Sequence, residues 1–326
     1  MRRREFIRLL AGTATTLPFT VRAQQVTLPV VGVLSNATAS DKQDLMAAFH
    51  RGLRQAGFVE GQNVKIEYRY ANNWIDVLPN LAADLVRDHV AVIFASSSSS
   101  GIAAKAATHT VPIVFVLGID PLQAGLVRSL NHPGENLTGS SFLDLETVAK
   151  RLQVLHEVVP KASLIALLAN PTVAQTEQDI KLGQDAAREL GLEFRVANAS
   201  NEAEIDDAFA AIDGWRAGGL VVSGNSFFGV EAKRLANLAA RYRLPAIYER
   251  RQFPAAGGLM SYGASHEEAY RVAGNYVGRI LKGEQPSDLP VQKTTKVEMV
   301  INLKAAKVLN LSIPLPLLAR ADEVIE

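Results

Sequence analysis

The sequence predicts an α/β protein built from two similar lobes, each a parallel sheet flanked by helices. Its 326 residues are 48% hydrophobic and 21% charged, which provides enough apolar surface for a large core and for two domains. Short β-branched runs alternate with segments of helical length that carry alanine and leucine at helical spacing. The same alternation begins again at residue 146 and indicates a second lobe.

The first lobe is predicted to contain four strands with a helix after each of the first three. The strands are expected at residues 30–34, 64–70, 91–95 and 112–116, and the helices at 41–56, 74–88 and 98–108. Gly57 follows the first helix and suits the left-handed backbone that often ends one. Helical connections between consecutive strands favour parallel pairing, because each helix carries the chain back to the end of the sheet at which the previous strand started.

The second lobe is predicted to repeat this order of elements without a repeat at the level of residues. Its helices are expected at 146–158, 174–190, 202–214 and 230–242, and its strands at 164–169, 193–197, 220–223 and 245–248. The two lobes therefore look Rossmann-like, with parallel sheets flanked by helices.

The C-terminal segment departs from the alternation, with a strand at 258–262, a helix at 266–281, a Pro-containing link at 282–290 and a strand at 297–302. These pieces are too few for a third domain, so we expect them to complete the two existing sheets. The first lobe is then predicted to comprise residues 26–140 and 249–285, and the second 141–248 and 286–326. This division requires the chain to cross between the lobes three times.

The first 23 residues are predicted to be an export signal. They hold five arginines against one acid, a net +4 that leaves −3 for the remainder of a chain whose total is +1. Arg3 and Arg4 precede Phe6 and Ile7 with one residue between, followed by a short apolar stretch and a small residue at Ala23, which resembles a twin-arginine signal peptide. The alternatives are an ordinary Sec signal or a basic helix that stays attached. We expect cleavage near residue 24 and a soluble periplasmic protein.

The sequence lacks the motifs of enzymes, cofactor sites and metal sites. It has no cysteine, no glycine-rich dinucleotide or P-loop motif, and no nucleophile elbow. The six histidines show no metal-binding spacing and are predicted to lie on the surface or at helix ends: His50, His89, His109, His132, His156 and His266. A mildly acidic body has no strong attraction for phosphate backbones, so nucleic acid is not expected as a partner. We predict no catalytic residue, cofactor or metal.

Polar residues follow the predicted strands, at the edge where ligands of open α/β sheets bind. These strand-end residues are Ser35, Asn36, Ser96, Ser97, Ser98, Asp120, Asn170 and Asn225. The serine loop before a helix predicts a site for the carboxylate of a small zwitterion, and plain N-capping of the helix is the alternative. Asp120 is the expected counter-ion for the ligand's ammonium group, and an ordinary turn is the alternative.

Four aromatic residues are further candidates for the binding site. Tyr248 is expected to complete the shell from the second lobe. Phe142, Phe227 and Tyr262 are predicted either to stack on an aromatic ligand or to belong to the core.

Several blocks along the chain carry a resemblance to a known family. The blocks are residues 112–115, 120–121, 125–127, 136–139, 150–152, 244–248, 257–263 and 315–323. Together they are similar to the tryptophan-type ABC transporter substrate-binding proteins, over a region from about residue 29 to the end. The resemblance implies a periplasmic-binding-protein fold of type I with three hinge crossovers. It also implies a receptor that binds an amino acid, since members of the family are associated with amino acids and notably with aromatic ones, and that passes it to an ABC permease in the inner membrane. We expect a monomer.

The chain departs from the usual family pattern at two places. Asn72, Asn73 and Trp74 replace a commoner Gly or Glu, and residues 249–251 read Glu-Arg-Arg where relatives tend to place an aromatic and one arginine. The residues after Tyr248 could face the cleft or brace the hinge. Two other functions stay open: a ligand-sensing subunit for a signalling receptor, and an exported α/β hydrolase.

Overall fold

The computed structural model describes residues 28–142, 147–173 and 175–326, so the predicted signal peptide lies outside it. These residues form two sheets of six and seven strands, each covered by helices on both faces. The predicted class, two α/β lobes with parallel sheets, is confirmed. Within the described ranges, no helix is both long enough and apolar enough to cross a membrane.

The first lobe begins with a regular alternation of strands and helices. Its elements are β1 (Val30–Ser35), α1 (Gln43–Gln55), β2 (Lys65–Tyr70), α2 (Leu78–Arg87), β3 (Val92–Ala95), α3 (Ser98–Ala107), β4 (Ile113–Leu117) and β5 (Leu137–Ser141). β3 and β4 are buried along their whole length, as expected of parallel strands that carry helices on both faces. Met46, Phe49 and Leu53 lie at helical spacing on α1 and point into the core.

The second lobe follows with the longer series of elements. They are α4 (Thr147–Val158), β6 (Leu164–Ala169), α5 (Thr176–Glu189), β7 (Glu193–Asn198), α6 (Glu202–Gly214), β8 (Gly219–Val222), α7 (Ser226–Val230), α8 (Ala232–Arg241), β9 (Ala246–Tyr248), α9 (Gln252–Ala255) and β10 (Met260–Ala264). The chain then continues through α10 (His266–Leu281), β11 (Gln292–Lys293), β12 (Val297–Asn302), α11 (Leu303–Val308), α12 (Leu315–Arg320) and β13 (Glu323–Ile325).

The strand orders show which segments belong to which lobe. The first sheet runs β11-β5-β4-β3-β1-β2 and the second runs β13-β12-β10-β9-β8-β6-β7. All pairs are parallel except β10 with β12, which is antiparallel. The chain therefore crosses between lobes after β5, after β10 and after β11, which gives the three predicted crossovers.

Two of the predicted lobe boundaries are wrong. Residues 249–264 were expected in the first lobe, but β10 pairs with β9 and β12 in the second sheet. Residues 286–293 were expected in the second lobe, but β11 pairs with β5, and Leu289 is buried in the core of the first lobe. The local pattern predicts a strand in both places and carries no information about which sheet the strand joins.

α10 completes the first lobe, although it follows β10 of the second. It packs against α1 and against the face of the sheet that includes Phe94 and Val116. α2 and α3 cover the opposite face. Ser265 ends the crossing before α10, where its hydroxyl accepts the backbone N–H of Glu268 and caps the helix.

Candidate functional site

The carboxyl ends of the parallel strands carry most of the predicted site residues. The carboxyl-end edge of the first sheet and that of the second meet where β10 passes into α10. His266, the first residue of α10, lies with its ring centroid 4.0 Å from that of Phe142, which follows β5 of the first lobe. The same histidine lies 3.9 Å from Glu249, which follows β9 of the second lobe. This meeting point of the two edges is called the hinge below.

The serine side chains of the first lobe are largely used by the loop itself. Ser97 is the N-cap of α3, and its hydroxyl accepts the backbone N–H of Ser100 at 3.2 Å. The hydroxyl of Ser98 accepts the N–H of Gly118 at 3.1 Å and ties the loop to the end of β4. Ser97 therefore does what the alternative interpretation expects and caps the helix, whereas Ser98 bridges the loop to the next strand. Carboxylate binding by this loop stays a prediction.

At the carboxyl ends of the first lobe's strands, three other polar side chains are buried without a hydrogen-bond partner in the described part of the chain. They are Asn36, through Oδ1, and Ser96 and Ser141, through their hydroxyls. The side chain of Ser35 differs, because its hydroxyl accepts the N–H of Ala37. Buried polar atoms without partners are rare in folded proteins, so these three atoms mark the strand-end edge as a place where a ligand or ordered water completes the bonding.

Asp120 closes a turn after β4. Its Oδ1 accepts the N–H groups of Leu122 at 2.8 Å and Gln123 at 3.4 Å, and the residue is half-buried. The structure therefore shows the turn that was the alternative reading of this residue. Its predicted contact with a ligand ammonium group stays a prediction.

Asn170 and Asn225 lie at the matching edge of the second lobe. Asn170 accepts the N–H and the hydroxyl of Thr172 through Oδ1 and so closes a local turn. Asn225 caps α7 by accepting the N–H of Phe228 at 2.9 Å, which turns its Nδ2 away from the helix. That Nδ2 is buried and has no partner among the described residues.

The predicted aromatic residues occupy different environments. Tyr248 is fully buried, stacks on Phe253 with ring centroids 4.5 Å apart, and belongs to the core between the second sheet and α8. Its hydroxyl has no hydrogen-bond partner among the described residues, and burial raises the pKa of that hydroxyl. Its predicted place in the binding shell stays a prediction. Phe227 and Tyr262 are half-buried against the second lobe's cores, and Phe142 is half-buried against the first lobe's.

A group of charged residues lies at the hinge; the sequence singled out residues 249–251 and left open whether they face the cleft or brace the hinge, but it did not predict their grouping with Arg151 and His266. Glu249 and Arg250 follow β9, and their side chains are 14% and 19% exposed. Arg151 on α4 is 2% exposed and donates to the carbonyl of Val222 at 2.8 Å. His266 was expected at the surface or at a helix end; it does begin α10, but its side chain is only 12% exposed. Glu249, Arg250, Arg151 and His266 are called the hinge cluster.

The charges of the hinge cluster shift one another's protonation. Burial would raise the pKa of Glu249, but Arg250, His266 and Arg151 outweigh it and hold that pKa well below its usual range. Burial lowers the pKa of His266 more than the nearby Glu249 raises it. Glu249 is therefore ionised and His266 neutral at pH 7.

Glycines allow the charged side chains to pass close to the backbone here. A Cβ at Gly224 would overlap Oε2 of Glu249, and a Cβ at Gly229 would lie 3.0 Å from Nη2 of Arg250. The run of three charges directly after a buried strand was the available signal, and it gave no indication that Arg151 and His266 join it. Over the described ranges, no three His, Asp or Glu residues lie where they could hold a metal ion.

Comparison with known proteins places this arrangement among solute receptors. The family described as ABC transporter substrate binding protein matches residues 40–325. The tyrosine-binding protein of Clostridioides difficile strain R20291 is 27% identical over 263 residues, which cover 81% of this chain and 75% of that protein.

Two solved structures share the fold over almost their whole length. A conserved domain protein from Vibrio cholerae is 26% identical, with a TM-score of 0.79, over 91% of this chain and 99% of that one. An ABC domain from Streptococcus pneumoniae, solved in complex with L-Trp, is 20% identical, with a TM-score of 0.80, over 92% of this chain and all of that one. The predicted periplasmic-binding-protein fold of type I is confirmed by these similarities.

Proposed function

This chain belongs to the family of ABC transporter substrate-binding proteins, and from that premise we propose that it is the receptor of an uptake transporter for an amino acid with an aromatic side chain. The family consists of binding proteins rather than enzymes. The proposal concerns the ligand, the transporter and the compartment.

The observation that carries the proposal is the set of unpartnered polar atoms at the strand ends of both lobes. Asn36, Ser96 and Ser141 contribute such atoms from the first lobe, and Asn225 contributes one from the second. A small polar solute between the lobes would supply the missing hydrogen bonds, and only a ligand that reaches both lobes satisfies both sets. Phe142, the residue after Ser141, offers an apolar ring that packs against His266.

Similarity supports an aromatic amino acid as the ligand. The relative from Clostridioides difficile is named a tyrosine-binding protein, and the Streptococcus structure holds L-Trp. Export supports a transport role, because a receptor must meet its solute outside the cytoplasm. We propose that residues 1–23 direct export to the periplasm and that the mature monomer delivers its ligand to an ABC permease in the inner membrane.

A thermal-shift screen of residues 24–326 against the natural amino acids tests the ligand class. L-tyrosine, L-tryptophan or L-phenylalanine should raise the melting temperature, since a ligand at 100 times its dissociation constant stabilises the folded state by about 2.7 kcal/mol. The D-enantiomers are the matched control and should shift it less. Stabilisation by none of the amino acids, with a sugar or nucleoside panel active instead, contradicts the proposal.

Export and transport are tested in cells. Changing Arg3 and Arg4 to lysine should retain the protein in the cytoplasm, and wild-type levels outside it would favour a Sec route instead. Deletion of the gene should abolish uptake of the labelled amino acid. Unchanged uptake would show that binding serves sensing rather than transport.

A further inference from the structure

Glu249 is an ionised carboxylate to which the described residues supply charge but no hydrogen bond of ordinary length. Its side chain is mostly buried at the end of β9, with 14% left exposed. Its neighbours are Nε of Arg250 at 3.5 Å from Oε2 and Nε2 of His266 at 3.9 Å from Oε1. Both distances exceed those of N–H···O hydrogen bonds, and the described part of the chain provides no other donor to this carboxylate.

The missing donors are unusual for a group in this position. A buried carboxylate normally accepts several hydrogen bonds, because desolvation without them is costly. The two arginines of the hinge cluster donate hydrogen bonds to backbone carbonyls instead. Arg250 donates through Nη2 to the carbonyl of Asn225 at 2.8 Å, and Arg151 donates to the carbonyl of Val222.

The two carboxylate oxygens of Glu249 face different surroundings. Oε2 lies against Arg250 and the backbone of Gly224. Oε1 faces His266, whose neutral ring places no positive charge against it. Oε1 is therefore the oxygen that can accept a cationic donor, and the ring of Phe142 packed against His266 presents an aromatic surface close by.

Asp120 is the weaker candidate for the same role. Its Oδ1 already accepts two backbone N–H groups of its turn. An ammonium group at Asp120 would compete with the bonds that close this turn, whereas at Glu249 it would fill an empty position.

We propose that Glu249, rather than Asp120, binds the ammonium group of the ligand, and that the protein selects primary ammonium compounds through this contact. The inference rests on the proposed function, because it assumes that the ligand enters between the lobes. The ammonium group donates to Oε1 and lies beside Phe142, where a cation is also attracted to the aromatic ring. Glu249 is in this view a specificity residue that faces the cleft as well as the hinge.

Binding of three related probes separates this role from a bracing role. The probes are L-tyrosine, its deamino analogue 3-(4-hydroxyphenyl)propionate and its decarboxylated analogue tyramine, each titrated by calorimetry into the wild type, Glu249→Gln and Asp120→Asn. Glu249→Gln should weaken L-tyrosine and tyramine by a factor of roughly 30 to 5,000 and the deamino analogue by less than about threefold. Asp120→Asn, the matched control, should change L-tyrosine by less than about threefold.

The outcomes distinguish the two proposals. If the wild type binds none of the probes and no other amino acid, the proposed function fails and this inference with it. If the wild type binds L-tyrosine and Glu249→Gln binds it equally well, only the role of Glu249 is overturned. Equal weakening of all three probes, together with a lower melting temperature, also overturns it, because a structural brace does not distinguish an ammonium group.

A second variant keeps the test valid if Glu249→Gln does not fold. Glu249→Asp retains the charge and moves it back by one methylene, so it should weaken L-tyrosine and tyramine partially and leave the deamino analogue unchanged. The wild type alone provides a further check, since it should prefer L-tyrosine over the deamino analogue at least tenfold. A preference for the deamino analogue overturns the inference.

Discussion

Gly224 shows how much of the hinge depends on the absence of a single Cβ. Its backbone lies against Oε2 of Glu249, so any side chain at this position would occupy the space of the carboxylate. Its backbone angles are not in the left-handed region. The requirement for glycine is therefore one of space rather than of conformation.

Gly224→Ala should lower the free energy of unfolding by about 1–3 kcal/mol, because the new methyl group overlaps the carboxylate and displaces it. Denaturant unfolding measures the effect. In a Glu249→Ala background the same substitution should cost less, since the overlapping side chain is gone. An equal cost in both backgrounds would place the strain elsewhere.

Some residues of the candidate site could be predicted from the sequence and others could not. Asn36, Ser96 and Asn225 could be predicted as candidates, because residues that directly follow parallel strands lie at the carboxyl-end edge of the sheet, where ligands of such folds bind. This holds without knowledge of the rest of the fold. His266 could not, since histidine at a helix start is usually exposed and here Phe142 covers it. The burial of Tyr248 in the core could not be predicted either, because helices cover both faces of the second sheet and alternation along β9 does not tell the two faces apart.

At the scale of elements, the pair α1 and α10 is in closest contact. A Cβ at Gly52 of α1 would overlap the carbonyl of Arg271, and a Cβ at Gly274 of α10 would overlap that of Phe49. The two helices therefore approach at backbone distance, which brings Tyr270 of α10 over the sheet to donate to the carbonyl of Ser96.

Gly274→Ala should lower the free energy of unfolding by about 1–3 kcal/mol, although alanine is the better helix former by up to about 1 kcal/mol. The overlap with the neighbouring helix outweighs the gain in helix propensity. Gly214→Ala at the end of α6 is the matched control, because its Cβ would meet open space, and it should be neutral or stabilising. Thermal unfolding of both variants checks this, and equal effects would contradict the close approach.

The sequence predicted strongly patterned elements well and weakly patterned ones poorly. Helix α10 begins and ends where expected, and so do α6 and β6. β5 was not predicted as a strand, because Leu-Thr-Gly-Ser-Ser lacks a β-branched run. It is held in the sheet partly by side chains, since Thr138 donates to the carbonyl of Leu289 at 2.6 Å and Ser140 to that of Gln292 at 3.2 Å. These partners lie about 150 residues away, beyond the reach of local patterns.

At the scale of the whole molecule, the three crossovers form the only covalent links between the sheets in the described ranges. They follow β5, β10 and β11. Their number could be predicted, because the C-terminal segment contains elements for both sheets. The sheet that each strand joins could not, since pairing is decided by contacts between distant segments.

Binding of the amino acid should bring the lobes together by rotation about these crossovers. Small-angle scattering of residues 24–326 should therefore show a smaller radius of gyration at saturating ligand than without it. The Glu249→Gln variant at the same ligand concentration is the control and should keep the larger value. Superimposable curves for the saturated and ligand-free wild type would rule out hinge closure.

The dependence of the first lobe on residues 266–293 makes its order of synthesis differ from its order of assembly. The ribosome delivers β1 to β5 first, whereas α10, which covers one face of their sheet with Tyr270 and Ala273, emerges only after β6 to β10. Until then the apolar face that includes Val33 and Phe94 has α1 against it but lacks the part of its cover that α10 provides. The nascent chain thus exposes an aggregation-prone surface through most of its translation, and this connectivity favours its retention by chaperones until the last helices leave the ribosome.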